Sequence, residues 1–196
     1  MQSAQSTLTQ VLWPVQQQTR GLRFAALAVL GSALLAISSK VAIPFYPVPM
    51  TLQTLVVLAL GMAYGSRLGL ATVALFLLEG ALGLPVFTGT PEKGIGLTYM
   101  LGGTGGYLLG FLPAVAITGF LAERGWDRKG LSTAAAMLIG NAAIYVPGLL
   151  WLGALYGFDK PIVQWGFAPF WLGDVAKIVL AMGLLPLAWR ALGAKR

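Results

Sequence analysis

The sequence predicts an all-α membrane protein of six transmembrane helices, and three observations support this fold class. Of its 196 residues, 57% are apolar or aromatic and only 10% are charged, whereas soluble domains are about 25% charged. The mean hydropathy is +0.79. Long apolar runs recur along the chain, and a spanning helix needs about 20 apolar residues. The length therefore accommodates about six spans in one domain, 1–196, and leaves no room for a second, soluble domain.

The N-terminal segment, 1–20, is polar and contains no compact apolar run, so it does not resemble a secretory signal. Residues 7–18 are a candidate helix along the membrane surface, although Pro14 interrupts it. The first span is predicted over about 24–43 and is retained in the mature protein. The proline-rich stretch Pro44–Pro49 predicts a rigid, extended link after it, because each proline disfavours helix in the residue before it.

Five further apolar runs predict the remaining spans. They cover about 51–64, 67–82, 105–122, 131–152 and 170–192. The second and third spans are short and are separated only by Gly65 and Ser66. We interpret this pair as a tight helical hairpin of tilted or thin helices.

The basic residues predict the orientation of the six spans. Six spans place both termini on one side, together with the 2–3 and 4–5 connections. That side carries Arg20, Arg23, Arg67, Arg124, Arg128, Lys129, Arg190, Lys195 and Arg196. The other side carries Lys40, Lys93 and Lys160, and Lys177 lies inside a span. The positive-inside rule therefore places both termini in the cytoplasm. The net charge of +7 then reports topology, and we expect no nucleic-acid partner.

Composition also excludes several kinds of chemistry. The chain has no cysteine and no histidine, which excludes disulfides, thiolate nucleophiles, imidazole metal sites and Ser-His catalysis. The spacing from Gly89 to Gly94 resembles the start of a phosphate-binding loop, but Ile95 stands where lysine is required. We therefore expect no enzymatic activity, no metal or other cofactor, and no nucleotide site.

Three ionisable residues lie inside predicted spans. Inserting a charged side chain at the centre of a span costs about 2.5–3.5 kcal/mol of free energy, so such a residue indicates a function. At 1.5 Å per residue, Glu79 lies roughly 18 Å from the cytoplasmic start of the third span. Asp174 and Lys177 lie roughly 6–11 Å from the outer start of the sixth span. Asn141 lies at a depth in the membrane similar to that of Glu79. Gln53 lies near the outer end of the second span, where that helix begins. All five belong to the outer half of the membrane, which predicts a cavity open to the outside.

The sequence leaves two interpretations of these residues open. Asp174 and Lys177 are three residues apart and share a helix face. They either neutralise each other so that the helix can insert, or they bind a polar ligand, and the two roles are compatible. Glu79 and Asn141 either contact a ligand or join neighbouring helices.

Two further features predict moving or docking surfaces. The outer connection between helices 3 and 4 is long, rich in glycine and also apolar, so we expect a lid over the cavity rather than a disordered connector. Along the first span, Ala28, Ser32 and Ala36 recur every four residues. Such a stripe lets another helix approach closely, either within the chain, which is the more common case, or on a partner membrane protein.

Four motifs occur in the order that is typical of one family. They are Pro47-Val48-Pro49-Met50-Thr51-Leu52-Gln53-Thr54, Gly83-Leu84-Pro85-Val86-Phe87, Gly103-Thr104-Gly105-Gly106-Tyr107 and Gly173-Asp174-Val175-Ala176-Lys177. Over about 24–192, the chain resembles the BioY family, the biotin-specific S components of energy-coupling factor (ECF) transporters. The chain departs from the family pattern at Gly103, where the family often has proline.

The resemblance implies a multi-pass subunit of the bacterial cytoplasmic membrane that captures biotin from outside. Its partners would be a T-type transmembrane subunit and ATPase subunits, and its small-residue stripe resembles the surface used against the T subunit. In the family, the residues equivalent to Asp174 and Lys177 contribute to the biotin site. Glu79 has no counterpart in the family pattern, so its role stays open.

Biotin suits the candidate residues chemically. Asp174, Asn141 and Lys177 match the donors and acceptor of its ureido ring. Lys93 or Lys177 would neutralise its carboxylate. The candidate apolar walls are Phe87, Tyr107, Tyr145, Trp151 and Trp171.

Two alternatives to biotin uptake with an ECF module remain. The chain would be an S component for another vitamin, or a stand-alone secondary transporter coupled to protons through Glu79 and Asp174. The lipid bilayer surrounds the protein in every case, and a homo-oligomer is compatible with all of them.

Overall fold

The computed structural model describes residues 6–14 and 19–193, and most of them are helical. The helices are α1 (Leu8–Leu12), α2 (Arg20–Lys40), α3 (Gln53–Tyr64), α4 (Ser66–Ala81), α5 (Leu97–Met100), α6 (Gly105–Ala122), α7 (Gly130–Tyr156), α8 (Ile162–Gly166) and α9 (Trp171–Ala191). The strands are β1 (Ala42–Ile43) and β2 (Met50–Thr51), and a 3-10 turn covers Trp126–Arg128. The six predicted spans correspond to α2, α3, α4, α6, α7 and α9, with ends that differ by no more than four residues.

Four helices of the described chain are long and apolar enough to cross a membrane: α2, α6, α7 and α9. The α3 helix has 12 residues and α4 has 16, which correspond to about 18 Å and 24 Å of length. Both are shorter than the roughly 30 Å hydrocarbon core. These two helices form the hairpin that the sequence predicts, and Gly65 joins them with a φ of 80°.

The α6 and α7 helices form the centre of the bundle. The α3 and α4 helices pack on α6, α2 packs on α4, and α9 packs on α7. The α6–α7 approach depends on small residues: a Cβ atom at Gly110 would lie 2.9 Å from both the Cα and the carbonyl oxygen of Ile144. This close contact is typical of helices packed in membranes.

The outer surface of the bundle is apolar. Exposed side chains on α2, α4, α7 and α9 include Leu30, Leu34, Ile37, Leu70, Leu78, Leu138, Val146, Leu150, Val179, Leu184 and Leu187. Soluble monomers rarely expose so much contiguous apolar surface.

The N-terminal helix is shorter than the candidate surface helix. The α1 helix covers only Leu8–Leu12, and Pro14 follows it. Thr7 begins it with a capping box in which the Thr7 N–H donates to Gln10 Oε1 at 3.0 Å. Leu8 is buried and α1 packs against α3. The remaining part of the candidate helix, 15–18, lies outside the described residues.

The prediction that the proline-rich segment after the first span forms an extended link is wrong. The α2 helix ends at Lys40, and β1 pairs with β2 in an antiparallel hairpin in which Ala42 opposes Thr51. The prolines of 44–49 occupy the turn, because a residue without an N–H cannot extend a ladder. The hairpin brings the chain back directly into α3.

A buried acidic residue joins the connection after α6 to the end of α9. Asp127 is fully buried in the 3-10 turn, and Trp189 Nε1 donates to its Oδ2 at 2.6 Å. The Arg128 guanidinium lies 4.5 Å from the centre of the Trp189 ring. Burial raises the pKa of Asp127 from 3.8 to about 6, and the Trp189 hydrogen bond opposes this rise.

The raised pKa predicts a pH-dependent stability. The folded chain holds the Asp127 proton more tightly than the unfolded chain does. The contribution of protonated Asp127 to the free energy of unfolding is therefore fully present below about pH 4 and is lost as the pH rises through 6. At about 1.4 kcal/mol per pKa unit, the loss is roughly 3 kcal/mol. Asp127→Asn keeps an acceptor for Trp189 and cannot ionise. We expect the difference in stability between the two proteins to be small near pH 4.5 and to grow to about 3 kcal/mol above pH 6.5, where Asp127→Asn unfolds at a higher temperature.

Thermal unfolding in detergent between pH 4.5 and 8 measures this difference. Asp159→Asn is the matched control, because the Asp159 side chain is 72% exposed beside Lys160. Parallel pH profiles for the wild type and Asp127→Asn would contradict the prediction.

Candidate functional site

A pocket lies where α3 and α9 begin, between the first turns of α6 and the middle of α7. Its volume is about 60 Å³. The lining residues are Val48, Pro49, Met50, Thr51, Gln53, Thr54, Phe87, Thr88, Tyr99, Thr104, Tyr107, Leu108, Phe111, Ile144, Tyr145, Phe170, Asp174 and Lys177. The β1–β2 hairpin supplies one wall, and the segment between α4 and α6 supplies the roof.

The polar centre of the pocket is an ion pair held by two hydroxyl groups. Lys177 Nζ lies 3.1 Å from Asp174 Oδ1 and donates to Thr54 Oγ1 at 2.7 Å. The Tyr145 hydroxyl donates to Asp174 Oδ2. The two charged side chains are only 9% and 12% exposed. Three helices, α3, α7 and α9, therefore meet at this pair.

The pair retains capacity for a ligand. Among the described residues, Lys177 directs two of its three N–H donors at protein atoms, and each Asp174 oxygen accepts one hydrogen bond. A carboxylate oxygen has more than one lone pair, so Asp174 can accept further N–H groups, while Lys177 can donate to a carbonyl or carboxylate. The arrangement suits a small, polar, uncharged group with both donors and acceptors.

Aromatic rings form the apolar wall beside the pair. The rings of Tyr107 and Tyr145 meet edge to face at 6.2 Å, and Tyr145 meets Phe167 in the same way at 5.0 Å. The Tyr107 hydroxyl donates to the Gly166 carbonyl at 2.9 Å, which fixes its ring. A Cβ atom at Gly148 would lie 2.5 Å from the Tyr107 ring, so glycine is required behind it.

The roof of the pocket rests on Phe87. Its ring stacks on Tyr99 at 5.0 Å and meets Phe76 of α4 edge to face at 5.4 Å. A Cβ atom at Gly80 would lie 2.0 Å from the Phe87 ring, so the ring sits directly on the bare backbone of α4. Phe87 itself is buried.

The same segment is also tied to the end of α2. Ser39 Oγ donates to the Val86 carbonyl at 2.8 Å, and Thr88 Oγ1 donates to the Ser39 carbonyl at 2.9 Å. Lys40 Nζ donates to the Phe87 carbonyl at 2.7 Å. The connection between α4 and α6 is therefore an ordered part of the pocket wall at 86–88.

The structure brings five of the nine predicted site residues to one pocket. They are Asp174, Lys177, Tyr107, Tyr145 and Phe87. The other four predicted residues do not line it, and neither does Trp151. Trp151 Nε1 instead donates to the Gly102 carbonyl at 2.9 Å and supports the segment that precedes α6.

The four residues outside the pocket have other surroundings. Glu79 accepts a hydrogen bond from Ser32 between α4 and α2. Asn141 is buried on α7, one helical turn before Tyr145, with its Oδ1 atom unpaired among the described residues. Lys93 is exposed, and Trp171 is 49% exposed on α9. These four residues do not line the pocket in this conformation, so their contact with a ligand stays a prediction. For Glu79 and Asn141, depth in the membrane does not determine which face of the helix the residue occupies.

The small-residue stripe of α2 lies mostly inside the chain. Ala28 and Ser32 are buried within the chain, and Ala36 is partly buried against the main core. Ala28 packs with Leu27 and Leu68 of α4. The stripe therefore allows α2 and α4 to approach each other, and its residues are not available to a partner in this conformation.

Sequence reasoning missed several wall residues. Thr54, Thr104, Phe111 and Ile144 were not among the predicted site residues, although all four line the pocket. The motifs at 47–54 and 103–107 contain two of them, so the motif itself was the available signal. No three acidic side chains of the described chain cluster as a metal site.

The Lys177–Thr54 hydrogen bond predicts a selective effect of one hydroxyl group. Thr54→Val keeps the shape of the side chain and removes the acceptor of Lys177 Nζ. Losing a hydrogen bond to a charged group costs about 1.5 kcal/mol, so we expect ligand affinity to fall roughly tenfold in equilibrium binding. Thr54→Ser is the matched control and is expected to stay near wild type. Equal losses in both variants would contradict a role for the hydroxyl.

Comparison with known proteins decides the family. Residues 6–194 match the BioY family. The chain belongs to the BioY family. BioY relatives include a biotin transporter BioY of Thermotoga maritima, which is 34% identical over 84% of this chain and 94% of that protein. The biotin transporter BioY2 of Lactococcus lactis is 35% identical over 83% and 88%, and the BioY of Rhodobacter capsulatus is 36% identical over 79% and 86%.

A solved structure confirms the BioY fold. The crystal structure at 2.1 Å of the S-component for biotin from an ECF-type ABC transporter superposes with a TM-score of 0.71. The match covers 90% of this chain and 95% of that one, at 22% sequence identity. The helical arrangement of this BioY chain is therefore the same as that of the solved protein.

Proposed function

We propose that this chain is the biotin-binding membrane subunit of an ECF transporter. The observation that carries the proposal is the buried Asp174–Lys177 pair, with Thr54 and Tyr145, in an aromatic pocket of a BioY-family chain. The ureido ring of biotin has two N–H donors and one carbonyl acceptor. Asp174 would accept from the donors and Lys177 would donate to the carbonyl or to the carboxylate of the side chain. Tyr107 and Phe87 would enclose the apolar ring.

The proposal includes a topology. All six helices, α2, α3, α4, α6, α7 and α9, would cross the bacterial cytoplasmic membrane, with both termini in the cytoplasm. The basic residues of the connections support this orientation. The pocket then belongs to the outer side, because α3 and α9 begin there, and biotin would enter from outside.

The roof segment is the proposed lid. Pockets for small ligands usually measure about 300–1,000 Å³, and this one measures about 60 Å³. Entry of a molecule as large as biotin therefore requires the roof or the walls to move. Gly83 precedes the 86–88 wall and Gly89, Gly94 and Gly96 follow it; all four have positive φ values and are the proposed hinge positions.

Release would depend on partners. We infer that a T-type transmembrane subunit and ATPase subunits supply the energy, because the fold is that of an S component and the proposed function includes no nucleotide site. Binding and release require no covalent chemistry, so no enzymatic step is part of the proposal.

Equilibrium binding of radiolabelled biotin to the purified protein in detergent tests the function. Biotin is expected to bind and to resist competition by thiamine and riboflavin. A chain that binds one of these vitamins and not biotin would contradict the substrate. Uptake into vesicles that is driven by a pH gradient, without ATPase subunits, would contradict the proposed coupling.

A further inference from the structure

A second cavity lies at the opposite end of the bundle from the pocket. It opens between the start of α2, the end of α3 and the start of α4, and its volume is about 760 Å³. The lining residues are Thr9, Gln10, Arg20, Arg23, Phe24, Leu27, Tyr64, Arg67, Leu68 and Glu123. None of them belongs to the pocket that contains Asp174 and Lys177.

The cavity carries an excess of positive charge. Arg20, Arg23 and Arg67 face a single carboxylate, that of Glu123. One oxygen of this carboxylate, Oε1, already accepts hydrogen bonds from the backbone N–H and the hydroxyl of Ser66, each at 2.8 Å. Glu123 therefore holds the start of α4 and forms no ion pair with these arginines.

The arginines keep unused donors. Arg23 donates through Nη2 to the Thr9 carbonyl, while its Nε is buried and has no partner. Within 6–14 and 19–193, neither Arg20 nor Arg67 forms a hydrogen bond or an ion pair. Guanidinium groups bind phosphate in a bidentate manner, so three of them around one cavity provide a site for an anion.

Neither helix stability nor membrane topology accounts for this arrangement. Arg20 and Arg23 lie in the first turn of α2, and Arg67 lies in the first turn of α4, where the helix dipole disfavours cations. The positive-inside rule explains why arginines lie at this end. Any position in the connections satisfies that rule, whereas here three arginines line the same cavity.

Part of the cavity wall, next to the arginines, is apolar. Phe24, Leu27 and Leu68 line it, and the Phe24 side chain is 43% exposed. These residues lie one turn or less beyond the arginines along α2 and α4, toward the membrane centre. Cationic groups next to an apolar helix surface at the membrane boundary are typical of headgroup sites for anionic lipids.

We propose that this cavity binds the phosphate group of an anionic phospholipid. Arg20, Arg23 and Arg67 donate to the phosphate oxygens, and the first part of an acyl chain lies along Phe24 and Leu27. The lipid would belong to the leaflet on the side of the chain termini. It would link α1, α2 and α4 where Arg23 already contacts Thr9.

Thermal unfolding of the full chain with defined lipids tests the site. Delipidated protein in a neutral detergent is titrated with phosphatidylglycerol, phosphatidylcholine or inorganic phosphate. Phosphatidylglycerol is expected to raise the melting temperature of the wild type by roughly 5 °C at saturation. Arg20→Gln/Arg67→Gln is expected to lose most of this shift. Lys129→Gln/Arg190→Gln removes two exposed charges from the same end and is expected to keep it.

Native mass spectrometry gives an independent measurement. One phosphatidylglycerol molecule is expected to remain bound to the wild type and to the control variant at collision energies that remove it from Arg20→Gln/Arg67→Gln. Three results would overturn the proposal. They are equal shifts with phosphatidylcholine, a full shift with inorganic phosphate alone, and an unchanged shift in Arg20→Gln/Arg67→Gln. Biotin binding is measured alongside, so this outcome is separate from the test of the proposed function.

Discussion

Biotin affinity is expected to fall by at least about 100-fold in Lys177→Met, the largest effect of any single substitution in the pocket. The change removes the ammonium group that contacts Asp174 and Thr54 and leaves a buried carboxylate without its charge partner. Removing one partner of a buried pair costs about 3–5 kcal/mol of stability. Equilibrium binding with radiolabelled biotin measures the affinity, and thermal unfolding in detergent measures the stability.

A double substitution separates the two roles that the sequence left open for this pair. Asp174→Asn/Lys177→Met removes both charges, so no uncompensated charge remains and the melting temperature is expected to recover toward wild type. Biotin binding is expected to stay lost, because the ligand has no charged partner. Recovery of both stability and binding in the double variant would show that the pair serves only to let α9 insert.

Gly80→Ala is expected to disrupt the roof of the pocket from a position that does not line it. The added Cβ would lie 2.0 Å, 2.3 Å and 2.7 Å from three atoms of the Phe87 ring, so the ring must leave its place between Phe76 and Tyr99. Overpacking of this kind costs about 1–3 kcal/mol. We expect biotin affinity to fall roughly tenfold and trypsin to cleave after the exposed Lys93 faster than in the wild type.

Gly183→Ala is the matched control for this effect. Gly183 also lies inside a helix, and nothing lies within 4 Å of an added Cβ there. Alanine favours helix over glycine by about 0.5–1 kcal/mol, so this variant is expected to be at least as stable as the wild type and to bind biotin normally. Normal binding and normal cleavage in Gly80→Ala would remove Phe87 from the lid.

The sequence predicted the helices well because membrane helices follow from apolar runs that end at charges, glycine or proline. The run 105–122 coincides with α6, and Gly65 and Ser66 alone predict the hairpin between α3 and α4. The shape of 44–49 was not predictable in the same way. Prolines exclude helix and ladder hydrogen bonds, but whether the chain continues outward or turns back depends on the pairing of Ala42 with Thr51.

The candidate site shows where sequence reasoning stops. The spacing of Asp174 and Lys177 places both side chains on one face of a helix. Placing a charged side chain inside a membrane span costs free energy, which indicates a function. The residues alone therefore predict this pair. Burying Glu79 in a span costs a similar free energy, and its predicted depth is also in the outer half of the membrane. Its side chain nevertheless faces Ser32 on α2. Rotation of a helix about its axis is set by packing against neighbours, such as Gly31 beside Thr72, and no single-helix pattern encodes it.

The hydrogen bond between Lys177 and Thr54 joins residues that are 123 positions apart, and this separation has a consequence for biogenesis. Both charges of the pocket arrive with α9, while the hydroxyl group, the hairpin wall and the roof are synthesised earlier. A chain in which α9 has not yet been made therefore has no ion pair with which to hold a ligand. Competence for binding requires the insertion of α9 and appears only after the rest of the pocket wall has been synthesised.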